Sequence, residues 1–157
     1  MPHAGTARGG KGATHVLAQT SGSTQAQGDR RRGEELARRV LVVEDDALIC
    51  LDTADALEQQ GFVVHTALSA EVALRGLREG LGVDILFTDI NLPGAMDGTA
   101  LARAARELLP ELIVAYTSGA VQAVGNAVAG SAFVPKPYDP ERVGRMLGAM
   151  RAPALVA

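Results

Sequence analysis

The stretch VDILFTDINLPGAMDG, residues 83–98, decides the fold, because a short apolar run ends in an aspartate and then turns. Apolar residues at successive positions, as in Ile85–Phe87, are typical of a strand covered on both faces of a parallel sheet. In open α/β sheets, ligands bind beyond the carboxyl ends of the strands. Asp89, which follows this strand, is therefore the first candidate for a functional residue.

Working outward from this stretch, a β-branched run followed by an amphipathic segment occurs five times from residue 38 onward. This alternation predicts βαβ units around a parallel sheet. The predicted strands are 39–44, 62–66, 83–88, 112–117 and 132–134, and the predicted helices are 46–60, 69–79, 98–108, 119–129 and 139–151. We therefore expect one α/β domain over residues 38–152, followed by a short tail, 153–157.

Residues 1–37 differ from the rest because they are rich in Gly, Ser, Thr and Gln and hold few large apolar side chains. Such a segment cannot offset its ordering entropy, so we expect a disordered leader. Residues 1–39 carry seven Lys/Arg against three Asp/Glu, whereas residues 40–157 carry eight against fifteen. The basic leader is either an inert extension or a tether for an acidic partner, and the acidic body predicts no direct binding of nucleic acid.

The cellular compartment is predicted from the cysteine content and from the lack of a visible membrane span or signal peptide. Cys50 is the single cysteine, which excludes an internal disulfide and fits a reducing cytosol. No apolar run reaches the roughly 20 residues of a membrane span, and no signal peptide is visible. We expect a cytoplasmic protein without membrane contact.

Polar side chains follow four of the five predicted strands. They are Glu44, Asp45 and Asp46 at the end of the first strand, Asp89 after the third, Thr117 and Ser118 at the end of the fourth, and Lys136 after the fifth. Asp46 alone is typical of a helix N-cap. Clustered carboxylates repel each other and favour a divalent cation, and oxygen ligands suit Mg²⁺. Together with Lys136 and Thr117, such a cation would stabilise phosphoryl transfer to Asp89 as the nucleophile.

Four segments, in order, resemble the signature blocks of the response-regulator receiver family (CheY-like) of bacterial two-component systems. They are VLVVEDD (40–46), ILFTDINLPGAMDG (85–98), YTSG (116–119) and FVPKPY (133–138). The resemblance covers residues 38 to about 152. It implies a flavodoxin-like (βα)5 fold, which is a doubly wound five-stranded parallel sheet of strand order 2-1-3-4-5.

The resemblance also implies a metal site. Asp89 would be the phosphoacceptor, and Asp45 and Asp89 would ligate Mg²⁺ directly. Glu44, which replaces the more frequent aspartate, would act through a metal-bound water. The backbone carbonyl of Asn91 would be the remaining protein ligand.

Further residues would respond to the phosphoryl group. The resemblance implies that Thr117 and Lys136 hold its oxygens and that the Lys136–Pro137 peptide bond is cis. Thr117 and Phe133 would form the switch, although Phe133 stands where many members have a tyrosine. The output surface is expected on residues 119–129, 132–134 and 139–151.

The expected partners are a histidine kinase or histidine phosphotransfer protein, which would dock on the apolar run Ala47–Leu51, and an unknown downstream protein. A homodimer is compatible with the sequence. We expect a phosphorelay component of the single-domain type and not an enzyme, because only about 20 residues follow Lys136.

Three alternatives remain. A haloacid-dehalogenase-like Mg²⁺ phosphatase needs a second carboxyl group where this chain has Asn91. A flavin module would find few aromatic partners among two Tyr and three Phe. A receiver-like adaptor would work without phosphorylation.

Overall fold

The computed structural model describes residues 37–120 and 125–154, and within them the chain forms five strands and four helices. The elements are β1 (Arg39–Val43), α1 (Ala47–Gln59), β2 (Val63–Ala67), α2 (Ala70–Arg78), β3 (Ile85–Asp89), α3 (Gly98–Leu108), β4 (Ile113–Ser118), β5 (Ala132–Pro135) and α4 (Pro140–Ala149). All strand pairs are parallel, in the order β2-β1-β3-β4-β5. The predicted doubly wound sheet and its strand order are confirmed. The predicted leader lies outside the described residues except for residue 37, and so do residues 155–157 of the tail.

The predicted helix over residues 119–129 is wrong for the part of it that the structure describes. Residues 121–124 lie outside the described residues, and residues 119–120 and 125–129 form no α-helix, only a short 3₁₀ turn at 125–126. Gly119 and Gly125 disfavour a helix, because each glycine costs about 1 kcal/mol relative to alanine in a helix interior. Gly130 has a φ of +72°, which suits the turn before β5.

Both faces of the sheet are buried. Alternate residues of each strand point to opposite faces, so each face contributes its own cluster of side chains to the core. One cluster, which includes Leu41, Leu86 and Tyr116, packs under α2 and α3. The other, which includes Val42 and Phe87, packs under α1 and α4. β3 and β4 are buried along their whole length, so the ends of these strands are held firmly.

Each of the four described helices begins at a side chain that caps its first turn. The caps are Asp46 for α1, Ser69 for α2, Asp97 for α3 and Asp139 for α4. The Asp46 carboxylate accepts hydrogen bonds from the backbone N–H groups of Leu48 and Ile49, at 2.9 and 3.2 Å. The cap therefore fixes α1 directly after the acidic end of β1. No helix in residues 37–120 or 125–154 has the length and apolar character needed to cross a membrane.

Candidate functional site

Three predicted carboxylates meet at the carboxyl edge of the sheet. β1 and β3 are neighbours, with Val43 paired to Thr88, so the residues that end or follow these strands come together. Glu44, Asp45 and Asp89 each place a carboxylate oxygen within 4.8 Å of the others. Glu44 and Asp89 are buried, and Asp45 is exposed. We call these three residues the acidic group.

Lys136 contacts the acidic group through its side-chain ammonium. Its Nζ donates to Glu44 Oε2 at 2.6 Å and to Asp89 Oδ2 at 2.5 Å. Its backbone N donates to the carbonyl of Ser118 at 2.9 Å, and the Lys136–Pro137 peptide bond is cis. These contacts hold the residue that follows β5 across the ends of three strands.

The ionisation of Lys136 and Glu44 follows from these contacts. Burial alone would lower the pKa of Lys136, but its hydrogen bonds to Asp89 and Glu44 raise that pKa above its ordinary value. Burial raises the pKa of Glu44, although the hydrogen bond from Lys136 opposes the effect. The ammonium is therefore charged at neutral pH, and one cation faces three carboxyl groups.

Thr117 brings a hydroxyl group to the same edge of the sheet. In the β3–β4 register Thr117 pairs with Asp89, so the two side chains lie on the same face of the sheet. Thr117 Oγ1 is buried and has no hydrogen-bond partner among the described residues. An unpaired buried hydroxyl costs about 1–3 kcal/mol and is uncommon. This hydroxyl is available to an acceptor beside Asp89.

Asn91 is tied to the site at two atoms. Its backbone N donates to Asp89 Oδ1 at 2.8 Å, and its side-chain Nδ2 donates to Ser118 Oγ at 2.8 Å. The sequence placed Ser118 at the end of a strand but assigned it no role. The bond to Asn91 depends on the relative position of two loops, which no local pattern reveals.

Gly98, at the start of α3, is a second residue whose part in the site the sequence did not reveal. A Cβ at this position would lie 1.9 Å from the backbone oxygen of Asp89. The backbone N of Gly98 also donates to the carbonyl of Ile90 at 2.9 Å. Only a residue without a side chain lets α3 approach the backbone of Asp89 this closely.

Phe133, the predicted switch residue, lies on β5, which β4 separates from the strands of the acidic group. It is partly buried and packs against the cluster that contains Tyr116, with which it is paired in the β4–β5 register. The hydroxyl of the fully buried Tyr116 accepts a hydrogen bond from the backbone N of Val128 at 3.2 Å. No sequence pattern pointed to Tyr116, although it stands next to Thr117.

The start of α1 exposes three large apolar side chains near Lys136, where Asp52 also lines the surface. Leu48, Ile49 and Leu51 are 79, 37 and 57% exposed. Ile49 lines a cavity of about 370 Å³ that also touches Lys136 and Tyr138. The predicted apolar run on the first helix therefore reaches solvent next to the acidic group.

Comparison with known proteins gives a family match and curated relatives. The family model described as the response regulator receiver domain matches residues 40–147. The C4-dicarboxylate transport transcriptional regulatory protein DctD of Rhizobium meliloti is 34% identical over 113 residues, which cover 68% of this chain and 24% of that protein. The CAI-1 autoinducer sensor kinase/phosphatase CqsS of Vibrio cholerae is 32% identical over 108 residues, which cover 65% of this chain and 16% of that protein. The chain thus spans a quarter or less of the length of these two relatives.

Two solved receiver structures match this chain over nearly their whole length. A response regulator receiver protein from Sinorhizobium medicae superposes with a TM-score of 0.66 and 29% identity, covering 73% of this chain and 98% of the other. The receiver domain of the hybrid histidine kinase CckA gives a TM-score of 0.60 and 31% identity, covering 70% and 95%. Both likenesses support the fold described above.

Proposed function

Since this chain belongs to the response regulator receiver domain family, we propose that it accepts a phosphoryl group on Asp89 from a histidine kinase or a histidine phosphotransfer protein. Phosphorylation would then change its contacts with a downstream protein. The observation that carries the proposal is the surroundings of Asp89. Its carboxylate lies with Glu44 and Asp45, receives a hydrogen bond from Lys136, and pairs in register with Thr117, whose hydroxyl has no partner among the described residues.

The acidic group has the donor set that Mg²⁺ prefers. Asp45 and Asp89 would ligate the ion directly, and Glu44 would act through water. The carbonyl of Asn91 would complete the protein ligands, and it accepts no hydrogen bond from the described residues. When bound, Mg²⁺ would offset negative charge on the phosphoryl oxygens.

Transfer to Asp89 requires one of its carboxylate oxygens to attack phosphorus. The new O–P bond forms as the P–N bond of the donor phosphohistidine breaks, and the bonding pair leaves with the imidazole nitrogen. Lys136 holds Oδ2 of Asp89, and the backbone N of Asn91 holds Oδ1. Each of these oxygens keeps a second lone pair, so attack on phosphorus does not require either donor to leave. Lys136, which stays protonated, and Thr117 would then donate to phosphoryl oxygens.

We propose that the apolar surface of α1 docks the donor protein. Leu48, Ile49 and Leu51 form this surface, and the cavity shared by Ile49 and Lys136 joins it to the acidic group. A helical face of the kinase or phosphotransfer protein could cover these side chains and present its phosphohistidine to Asp89. Burying them would supply a hydrophobic contribution to binding.

The proposed output surface lies on β5 and α4. A cavity of about 800 Å³ between β5 and α4 is lined by residues that include Phe133, Arg142 and Met146. β5 is an edge strand, so its outer side is not paired in the sheet. A downstream partner that binds here would contact the strand on which Phe133 lies.

We also propose that the protein is not an enzyme with steady hydrolytic turnover. Asn91, two residues after Asp89, carries an amide that donates to Ser118 and cannot serve as a general acid or base. The proposed location is the cytoplasm, since the free, buried thiol of Cys50 fits a reducing compartment.

Acetyl phosphate tests the proposal without a known kinase. The chain is incubated with acetyl phosphate and Mg²⁺ and its intact mass is measured, with the expected gain of one hydrolysable phosphate. Asp89→Asn should gain none and stay folded by circular dichroism, because the amide has nearly the same shape but is a poor nucleophile. Asp55→Asn, at an exposed position on α1, is the matched control and should be labelled like the wild type. A phosphate on Asp89→Asn, or none on the wild type with either acetyl phosphate or a phosphotransfer protein, would overturn the proposal.

A further inference from the structure

Ser118, the last residue of β4, joins three loops at the edge of the sheet. Its side chain is buried, with 1% exposed. Its Oγ accepts hydrogen bonds from Asn91 Nδ2 at 2.8 Å and from the backbone N of Ala120 at 3.1 Å. Its carbonyl accepts the backbone N of Lys136 at 2.9 Å. One residue thus holds the loops that follow β3, β4 and β5.

The bond to Ser118 matters most for Asn91, because Asn91 is exposed and lies in a loop. The backbone N of Asn91 is held by Asp89 Oδ1 and its side chain by Ser118, so the residue is fixed from both sides. Its backbone carbonyl accepts no hydrogen bond from the described residues. Loss of the Ser118 hydroxyl would let the Asn91 side chain rotate into solvent and would release one of these two restraints.

We infer that Ser118 is a positioning residue that holds Asn91 with its carbonyl available to the cation of the acidic group. The inference rests on the proposed function, in which that carbonyl is a ligand of Mg²⁺. Ser118 does not touch the cation or the phosphoryl group in this role. It acts through Asn91, and it does so by keeping the loop after β3 in the conformation that binds the ion.

The test is the Mg²⁺ dependence of Ser118→Ala, measured in two ways. Isothermal titration calorimetry with Mg²⁺ alone should show affinity reduced roughly three- to tenfold, which is the range that one neutral hydrogen bond contributes to an equilibrium. In the acetyl phosphate reaction, the Mg²⁺ concentration for half-maximal rate should rise by the same factor, while saturating Mg²⁺ restores the wild-type rate. A loss of fold alone would not produce this separation.

Two further variants keep the inference open to refutation. Asn91→Ala removes the other half of the bond from the exposed side, and the double variant should lose no more affinity than either single variant. Ser131→Ala is the matched control, because its hydroxyl donates to Val128 and not to the site, and it should leave the Mg²⁺ midpoint unchanged. A wild-type chain that gains no phosphate would refute the proposed function. A phosphorylated wild type with the same Mg²⁺ midpoint as Ser118→Ala, or additive losses in the double variant, would refute the role of Ser118.

Discussion

Replacing Gly98 by alanine tests whether the backbone of Asp89 is held by the start of α3. The added Cβ would lie 1.9 Å from the carbonyl oxygen of Asp89, 2.8 Å from its carbonyl carbon and 3.0 Å from Cα of Ile90. All three neighbours are backbone atoms, so no flexible side chain can rotate away. Relief of the contact requires α3 and the end of β3 to separate by at least about 1 Å, since real Cβ contacts under 3.0 Å are essentially never seen.

The size of the effect follows from two contributions to the free energy of unfolding. Overpacking of a tight site costs about 1–3 kcal/mol. The separation also weakens the 2.9 Å hydrogen bond from Gly98 N to the carbonyl of Ile90, which is worth about 0.5–1.5 kcal/mol. We expect a loss of about 2–4 kcal/mol in Gly98→Ala. The displaced Asp89 should also accept phosphate more slowly, by up to roughly a hundredfold, because a shift of about 1 Å at a reacting group has effects of that size.

Urea unfolding followed by circular dichroism measures the first effect, and the rate of phosphorylation by acetyl phosphate in the folded protein measures the second. Gly148→Ala, inside α4, is the matched control because the nearest atom to its Cβ, Cζ of Phe62, is 3.8 Å away. That variant should gain about 0.4–1 kcal/mol of stability and keep the wild-type rate. This role of Gly98 would be refuted if the free energy of unfolding of Gly98→Ala lay within about 0.5 kcal/mol of the wild-type value and the variant was phosphorylated at the wild-type rate. The close approach of α3 could then not be what positions Asp89.

Three further outcomes are expected. Ile49→Lys should slow phosphotransfer from a kinase or phosphotransfer protein that labels the wild type but leave the acetyl phosphate rate unchanged, because Ile49 lies on the docking surface; equal slowing with both donors would remove the docking role. Thr117→Val should raise the free energy of unfolding by about 1 kcal/mol, because it removes a buried hydroxyl that has no partner among the described residues. The same variant should uncouple partner binding from phosphorylation. If its partner binding still depended on phosphorylation, Thr117 would be excluded from the switch. Burial, aided by the charge of Arg39, lowers the pKa of His65, so the folded protein should lose stability as the pH falls below the ordinary histidine value of 6.5 and through the lowered folded value. His65→Gln should flatten that part of the pH–stability curve, and an unchanged slope would assign it to another group.

The sequence was most informative where one residue type determines local structure. The apolar run Ile85–Phe87 predicted a buried strand, and the strand is there, followed by the acidic residue at its carboxyl end. Because parallel strands place their ends at one edge, the meeting of Glu44, Asp89 and Lys136 could be expected before their distances were known. The order of the strands came from the family resemblance, since periodicity alone does not order a sheet.

The sequence was least informative where two distant segments approach each other. Gly98 looks like an ordinary helix start until the backbone of Asp89 is seen against it, and Ser118 looks like strand material until Asn91 is seen to bind it. The helix predicted over 119–129 shows the opposite error. The alternation of strands and helices predicted a helix there, but the glycines lower helix propensity, and the described part of this segment makes other contacts, such as that of Val128 with Tyr116.

The charge of the site explains why a signal should leave it at the β4–β5 edge. Three carboxylates face one ammonium, which leaves a surplus of two negative charges when all are ionised. An acyl phosphate on Asp89 would replace one negative charge by about two, so each nearby donor would be drawn more strongly towards it. Thr117 in β4 and Lys136 directly after β5 bring side-chain donors to this edge of the sheet, whereas the residues after β1 bring the carboxylates of Glu44 and Asp45. β5 is paired on one side only, so it can adjust without breaking the sheet. The added charge would therefore act on β4 and β5, the two strands that carry Thr117 and Phe133, and β5 is the edge strand on that side of the site.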